Sequence, residues 1–316
     1  MPRLAVLFAG QGAQFVGMGR DVYERSRAGR AVFEAADRLL PFSLTQIIFS
    51  GPEEKLTETD VAQPAILAVS VALAEAAKEA GWDGRAVAAA GLSLGEYSAL
   101  VFAGTIALED AIVLVHKRGT YMREAARKNP GGMLSVMGLH GAAVAAIVER
   151  ASSLGVICAA NLNCPGQVVL SGQMPALEAA GKLASERGAI KTVFLKVDGA
   201  FHSPLMNDAA ERLAGDLASV EIKPPRTGFV ANVTADFASD PGDIRTLLAR
   251  QVTSSVLWEK SMRRLVAEGM THFAEIGPGR VLTGLMKRID RKLPVLTVGD
   301  MEQAAELTSL ASAGGH

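Results

Sequence analysis

The sequence predicts an α/β fold with a mainly parallel sheet, interrupted by a small β-α-β-β-α-β unit. Three features carry that prediction. Short apolar runs alternate with helical patterns through residue 128, the rhythm changes between 129 and 198, and the alternation resumes afterwards. With 316 residues, 49% of them hydrophobic, the chain can build a full core without metals or disulfides.

Taken in order, Leu4 to Ala9 (LAVLFA) reads as a buried strand and Gly10-Gln11-Gly12-Ala13-Gln14 as the loop that leaves it. From Ala65 to Ala80 the pattern is helical and apolar nearly all round, so this helix is expected inside, with Gly81 as its stop. Ala86 to Ala90 is a second short strand; helices follow from Gly95 and over Leu108 to Lys128. The middle section gives a strand at Met133 to Leu139 and a helix at Ala142 to Ser153. Strands at Val156 to Asn161 and Gln167 to Ser171, a helix at Pro175 to Arg187 and a strand at Ala189 to Val197 complete it. This is the ferredoxin-like split pattern. Pro130-Gly131-Gly132 and Gly199 flank it as hinges. A helix over Leu205 to Ser219, a strand at Gly228 to Asn232, a helix at Asp243 to Arg250 and a strand at His272 to Ile276 resume the first rhythm. Gly277-Pro278-Gly279 then opens what reads as the final helix, and the Ala/Gly-rich tail from Ala304 is expected to fray. The division is a large unit of 1–128 and 199–316 with an insertion at 129–198.

A formal net charge of −1 argues against a nucleic-acid partner, but leaves room for one basic patch. Cys158 and Cys164 are read as reduced thiols, and no further Cys/His pair supplies zinc-ligand spacing, so no metal is expected. The N-terminus lacks a secretory pattern, and no run of about 20 apolar residues is present to span a bilayer. A cytoplasmic protein without a membrane partner is expected.

Gly91-Leu92-Ser93-Leu94-Gly95 fits the G-x-S-x-G elbow, with a short apolar strand before it and a helical pattern after it. The glycines permit a sharp turn that lifts the Ser93 hydroxyl above the strand, and the Leu94 amide then faces a developing oxyanion. The bland alternative is a serine N-cap. A serine nucleophile needs a base. His272 falls in a strand, His116 on a helix, His140 at a turn of the insertion and His316 at the terminus. His202 lies in the loop Gly199-Ala200-Phe201-His202-Ser203-Pro204, where a strand ends and a helix begins, and α/β folds place their sites in such loops. On the Leu108–Lys128 helix, Arg118 sits amid the apolar face of Ala111, Leu114, Val115, Tyr121, Met122 and Ala125. An ionised guanidinium there needs an anion. Periodicity leaves two readings open, a structural ion pair with an internal carboxylate or a forked clamp for a substrate carboxylate.

Seven segments occur in order: GQGAQ at 10–14, QPA at 63–65, GLSLGEYSAL at 91–100, KRG around Arg118, the N-x-N-x-P-G-Q run at 161–167, GAFHSPLM at 199–206 and GPGRVLTGL at 277–285. On these the chain resembles the malonyl-CoA:acyl carrier protein transacylase family over essentially its whole length. The resemblance implies an α/β-hydrolase-like core with a ferredoxin-like insertion. It implies Ser93 as acylated nucleophile, His202 as base and Gln251 as the residue whose main-chain carbonyl orients His202. The amides of Gln11 and Leu94 would form the oxyanion hole, and Arg118 would hold the malonyl carboxylate. Coenzyme A thioester and acyl carrier protein would be the reaction partners, with no cofactor and a monomeric enzyme. Two details concern this chain. Position 92 is leucine where the family commonly has histidine, which implies altered packing rather than lost activity. GAFH at 199–202, with Phe201, resembles the malonyl-selecting form of related polyketide acyltransferases. Other readings are a serine esterase or thioesterase on the same fold, a non-catalytic carrier-binding subunit, or an acyltransferase of a polyketide pathway. The basic residues Lys287, Arg288, Arg291 and Lys292 could meet an acidic carrier, or form a solvated helix face.

Overall fold

The computed structural model describes residues 3–312. The tail's outermost residues 313–316, including His316, lie outside that range. The chain begins with β1 (Leu4–Phe8), followed by four short helices, α1 (Arg20–Arg25), α2 (Arg27–Leu39), α3 (Leu44–Ser50) and α4 (Glu53–Thr57). Next come α5 (Thr59–Glu79), β2 (Ala88–Gly91), α6 (Gly95–Phe102) and α7 (Leu108–Lys128). The middle section contains β3 (Gly132–Met137), α8 (Gly141–Ala151), β4 (Ile157–Cys164), β5 (Gln167–Gly172), α9 (Met174–Glu186) and β6 (Lys191–Phe194). The rest is α10 (Asn207–Ala218), β7 (Gly228–Ala231), β8 (Asp236–Ala238), α11 (Pro241–Gln251), α12 (Trp258–Ala267), β9 (His272–Ile276), α13 (Val281–Ile289), β10 (Val295–Val298) and α14 (Met301–Ser312).

The large sheet has the order β10-β9-β1-β2-β7-β8, parallel except for the β7–β8 edge. β1 is buried along its length because helices cover both faces, which is why it reads as an unbroken apolar run. Val6 and Phe8 point into the layer with α2, α5, α6 and α7; Ala5 and Leu7 meet Trp258, Met262 and Met286 on the other side. The small sheet has the order β4-β5-β3-β6, antiparallel throughout, the ferredoxin-like arrangement. Leu134, Val136 and Leu170 pack on its own helices, whereas Met133 and Val169 on the opposite face join the main core. Backbone bonds from Val256 N–H to Ala160 and from Leu162 N–H to Val256 fasten β4 to the segment after α11.

Two expectations need correction. The buried helix expected over 65–80 starts earlier, at Thr59, and runs through Pro64. Proline cannot donate to the carbonyl four residues back. His116, from α7, bonds that Asp60 carbonyl through Nδ1 at 3.0 Å instead, so the helix continues without an orphaned acceptor. The helix opened by Gly277-Pro278-Gly279 is not the last, since β10 and α14 follow and complete the sheet edge. Four helices between 20 and 57, none of them assigned from sequence, cover the core beside α5. α5 is the one helix among the described residues with the length and apolar character to cross a bilayer, and it is buried inside the protein.

Helix α6 lies so close to β1 that a Cβ at Gly95 would sit 2.1 Å from the Phe8 carbonyl oxygen. Gly95→Ala is therefore expected to lower stability by about 3 kcal/mol or more, through forced backbone displacement. Gly215, inside α10, has nothing within 4 Å of such a Cβ. Gly215→Ala should stabilise by about 0.5–1 kcal/mol. Urea unfolding of both variants checks the contrast.

Candidate active site

Three neighbouring strand ends, those of β1, β2 and β7, bring Gln11, Ser93 and Asn232 together. Ser93 turns between β2 and α6 in the left-handed region, at φ 53°. That conformation is costly for a residue with a side chain, and its surroundings hold it there. Gly91 cannot be larger, because a Cβ would lie 1.9 Å from the Gly95 carbonyl carbon. Asn232 Oδ1 accepts from the Ser93 N–H at 2.7 Å, and its Nδ2 donates to the Gly91 carbonyl at 2.7 Å. The Asn232 N–H in turn donates to Glu96 on α6.

His202 is also left-handed, at φ 58°, which aims its ring back at the elbow. Its Nε2 lies 2.8 Å from Ser93 Oγ, and its Nδ1 lies 2.8 Å from the main-chain carbonyl of Gln251. A carbonyl only accepts, so Nδ1 carries the proton and Nε2 is left to receive one from the serine. Burial, assisted by the positive charge of Arg118, pushes the imidazole down to about 4. The ring is thus neutral, with its acceptor nitrogen ready, across the neutral range.

Arg118 is 1% exposed. The ion-pair reading left open by periodicity is not what the structure shows. Nη1 donates to Gln63 Oε1 at 2.6 Å, while Nη2 donates to Gln251 Oε1 at 2.8 Å and to Ser93 Oγ at 3.1 Å. The guanidinium also lies over the Tyr97 ring, 5.8 Å from its centroid. No carboxylate contacts it among the described residues, and its Nε has no partner there. A buried cation held by neutral oxygens keeps capacity for an incoming anion.

The Leu94 and Gln11 N–H groups find no acceptor among the described residues. Leu94 opens α6, where free amides and the helix dipole favour negative charge. The Gln11 side chain donates to Thr59 Oγ1 at 3.3 Å, and Thr59 donates to Asp198 at 2.8 Å, at the exit from the small sheet. A cleft of about 420 Å³ lies over these groups, roofed by Met133, Asn161, Asn163 and Val169 of the small sheet. Phe201, 5% exposed, and Met122 line it together with Arg118. Leu92 also lines the cleft and packs against Gly10, where a Cβ would meet its Cδ2 at 3.0 Å. His116, His140 and His272 do not reach the cleft. His116 completes α5, His140 sits exposed ahead of α8, and His272 is in β9. Arg288 bonds Gln167 at the rim; it and Lys287 occupy the last turn of α13. Among the described residues no group of three metal-ligating side chains occurs.

Three further residues, Asn232, Glu96 and Gln63, were not singled out from sequence. Each left a trace, as a polar side chain at a strand end, in an apolar helix start, or within a buried helix.

The fold and site define an α/β protein with a serine–histidine pair on a strand–turn–helix elbow. The comparisons narrow this further: the chain belongs to the acyl transferase domain family, matched over residues 6–311, and is an acyltransferase. It is 43% identical over 303 residues to the malonyl CoA-acyl carrier protein transacylase of Bacillus subtilis, covering 96% of this chain and 95% of that one. It superposes on the acyl-carrier-protein S-malonyltransferase of Bartonella henselae with a TM-score of 0.96 at 39% identity, covering 98% and 99% of the two chains. A malonyl-transacylase solved with a type II PKS acyl-carrier protein is also similar, with a TM-score of 0.94 at 36% identity, covering 98% and 99%.

The lowered His202 value sets a pH dependence. The folded ring stays neutral until the pH falls to about 4, against 6.5 ordinarily. Labelling of Ser93 by a fluorophosphonate probe should hold its rate from neutral pH down to about 5 and fall below about 4. Decline already centred near 6.5 would contradict this environment for the ring. Stability follows the same sign: between 6.5 and about 4 the unfolded chain takes up a proton that folded His202 refuses, so this contribution falls with acid.

Proposed function

We propose that the chain transfers a malonyl group from coenzyme A to the phosphopantetheine thiol of an acyl carrier protein, through an ester on Ser93. The observation that carries the reading is the buried Arg118 guanidinium, free of any carboxylate contact among the described residues and 3.1 Å from Ser93 Oγ. The far carboxylate of a malonyl ester lies about 4 Å from the serine oxygen by ordinary bond lengths, within reach of that guanidinium.

In the first half-reaction Ser93 Oγ attacks the thioester carbonyl as its proton passes to His202 Nε2. The carbonyl oxygen becomes an oxyanion that accepts from the Gln11 and Leu94 amides; a single such donor is typically worth about 3–4 kcal/mol. The carbon–sulfur bond then breaks, and His202 returns the proton to the departing thiolate. In the second half the carrier thiol gives its proton to His202 and attacks the ester carbonyl, and Ser93 leaves as the hydroxyl. The Gln251 carbonyl holds the ring in its tautomer throughout. The residues of the chain do all of this, so the reading includes no cofactor or metal.

The reading takes a monomer as the working unit. Two unpaired cysteines, Cys158 and Cys164, fit a reducing cytoplasm. The names of the relatives support an acyl carrier protein as acceptor; the reading takes it to be the carrier of fatty acid synthesis, while the complex with a type II PKS carrier protein keeps a polyketide carrier as the second reading. Phe201 lines the same cleft as Arg118, and the reading gives it the role of excluding a branched acyl group.

The test is the acyl selectivity of Arg118→Ala. Losing a buried charge contact of about 2–5 kcal/mol should lower malonyl transfer by tens to thousands of fold while acetyl transfer falls far less. Equal losses for the two groups would make Arg118 structural. Release of free malonate in the presence of excess carrier would instead favour a thioesterase.

A further inference from the structure

We infer that Glu96 is a positioning residue for acyl-group selection, holding Arg118 in place through the side-chain amide of Gln251. The inference rests on the malonyl reading and names a residue that the reading itself does not require.

The argument follows donors and acceptors through a chain of buried groups. Glu96 lies in the first turn of α6, with 1% of its surface exposed. One of its oxygens accepts from the Asn232 N–H, the other from Gln251 Nε2. The same Nε2 also donates to the Ser93 carbonyl at 3.0 Å. Two acceptors therefore face one end of the Gln251 amide, and only its NH₂ group satisfies both. The other end must then present Oε1, which receives Arg118 Nη2 at 2.8 Å. A flipped amide would set its NH₂ against the guanidinium and its oxygen against the Ser93 carbonyl.

Burial raises the Glu96 carboxyl to about 8, opposed by the donors from Asn232 and Gln251 and by the Arg118 charge. Above that value the carboxylate accepts an N–H on each oxygen and provides Arg118 with a counter-charge one amide away. The direct anion position on the guanidinium is thereby left to the substrate. A carboxylate in contact with Arg118 would compete for it.

The isosteric change Glu96→Gln separates this role from a packing role. Asn232 N–H still requires an oxygen, so the new NH₂ must face Gln251 Nε2, donor against donor. Whichever amide turns, one conflict remains, and where Gln251 is the one that turns to relieve it, Arg118 loses its fixed partner. Steady-state kcat/KM would be measured with malonyl-CoA and acetyl-CoA on the full chain, about one pH unit above the Glu96 value. The malonyl-to-acetyl ratio is expected to fall about ten- to a hundredfold in Glu96→Gln, the scale of one charged hydrogen bond. Glu96→Asp, which keeps the charge, should retain more of the ratio, and its ratio carries the test if Glu96→Gln does not fold. A ratio unchanged in both variants, or Asp no better than Gln, overturns the inference. Arg118→Ala runs alongside. If it lowers the ratio and Glu96→Gln does not, only this inference fails; if it leaves the ratio unchanged, the malonyl reading fails and takes this inference with it.

Discussion

The site depends on a positive charge placed where no carboxylate among the described residues contacts it. Arg118 is held inside by oxygens of Gln63, Gln251 and Ser93 and by the face of Tyr97. Uncompensated burial of an ion is expensive, so each of these groups must be in place before the arginine is tolerable. Their sources are α5, α11, the elbow and α6, which makes the charge a reason for those elements to meet. Even the Pro64 break in α5 belongs to this arrangement, since α7, which carries Arg118, also carries the His116 that repairs it.

The same charge acts on the histidine. Arg118 and burial together keep His202 unprotonated, and a backbone carbonyl rather than a carboxylate orients it. A carboxylate behind the ring would raise its proton affinity and would also offer Arg118 a competing anion. Replacing it with the Gln251 carbonyl leaves the ring a weak base, one that takes the serine proton as the thioester is attacked and gives it up readily to a thiolate. On the proposed reading selectivity and proton transfer share one residue, Gln251, which binds His202 through its main chain and Arg118 through its side chain.

Much of this was legible in the sequence because strong local rules produce it. The elbow announces itself through two glycines around a serine, and the coordinates show why: no larger residue fits at 91 or 95. The small sheet was readable from alternation, since one face of β3 and β5 meets helices and the other meets the core. Arg118 stood out as a charge on an apolar face, although periodicity could not tell a clamp from an ion pair. The four helices between 20 and 57 were harder, because α1, α3 and α4 are five to seven residues long and hold too few turns to show a period. α2 is different; Val32, Phe33 and Ala36 already mark a buried face in the sequence. Asn232 and Glu96 left only the trace of a polar residue at a strand end and at a helix start, and no local pattern ties them to the site, since their partners lie more than 130 positions away along the chain.

The central claim is a covalent malonyl group on Ser93 that passes to a thiol. The most direct measurement is mass spectrometry of the intact protein after mixing with malonyl-CoA alone, followed by peptide mapping. One malonyl group on the Ser93 peptide, discharged when holo acyl carrier protein is added, is the predicted result. A protein that stays unmodified, or an adduct that carrier protein does not remove, would contradict the account.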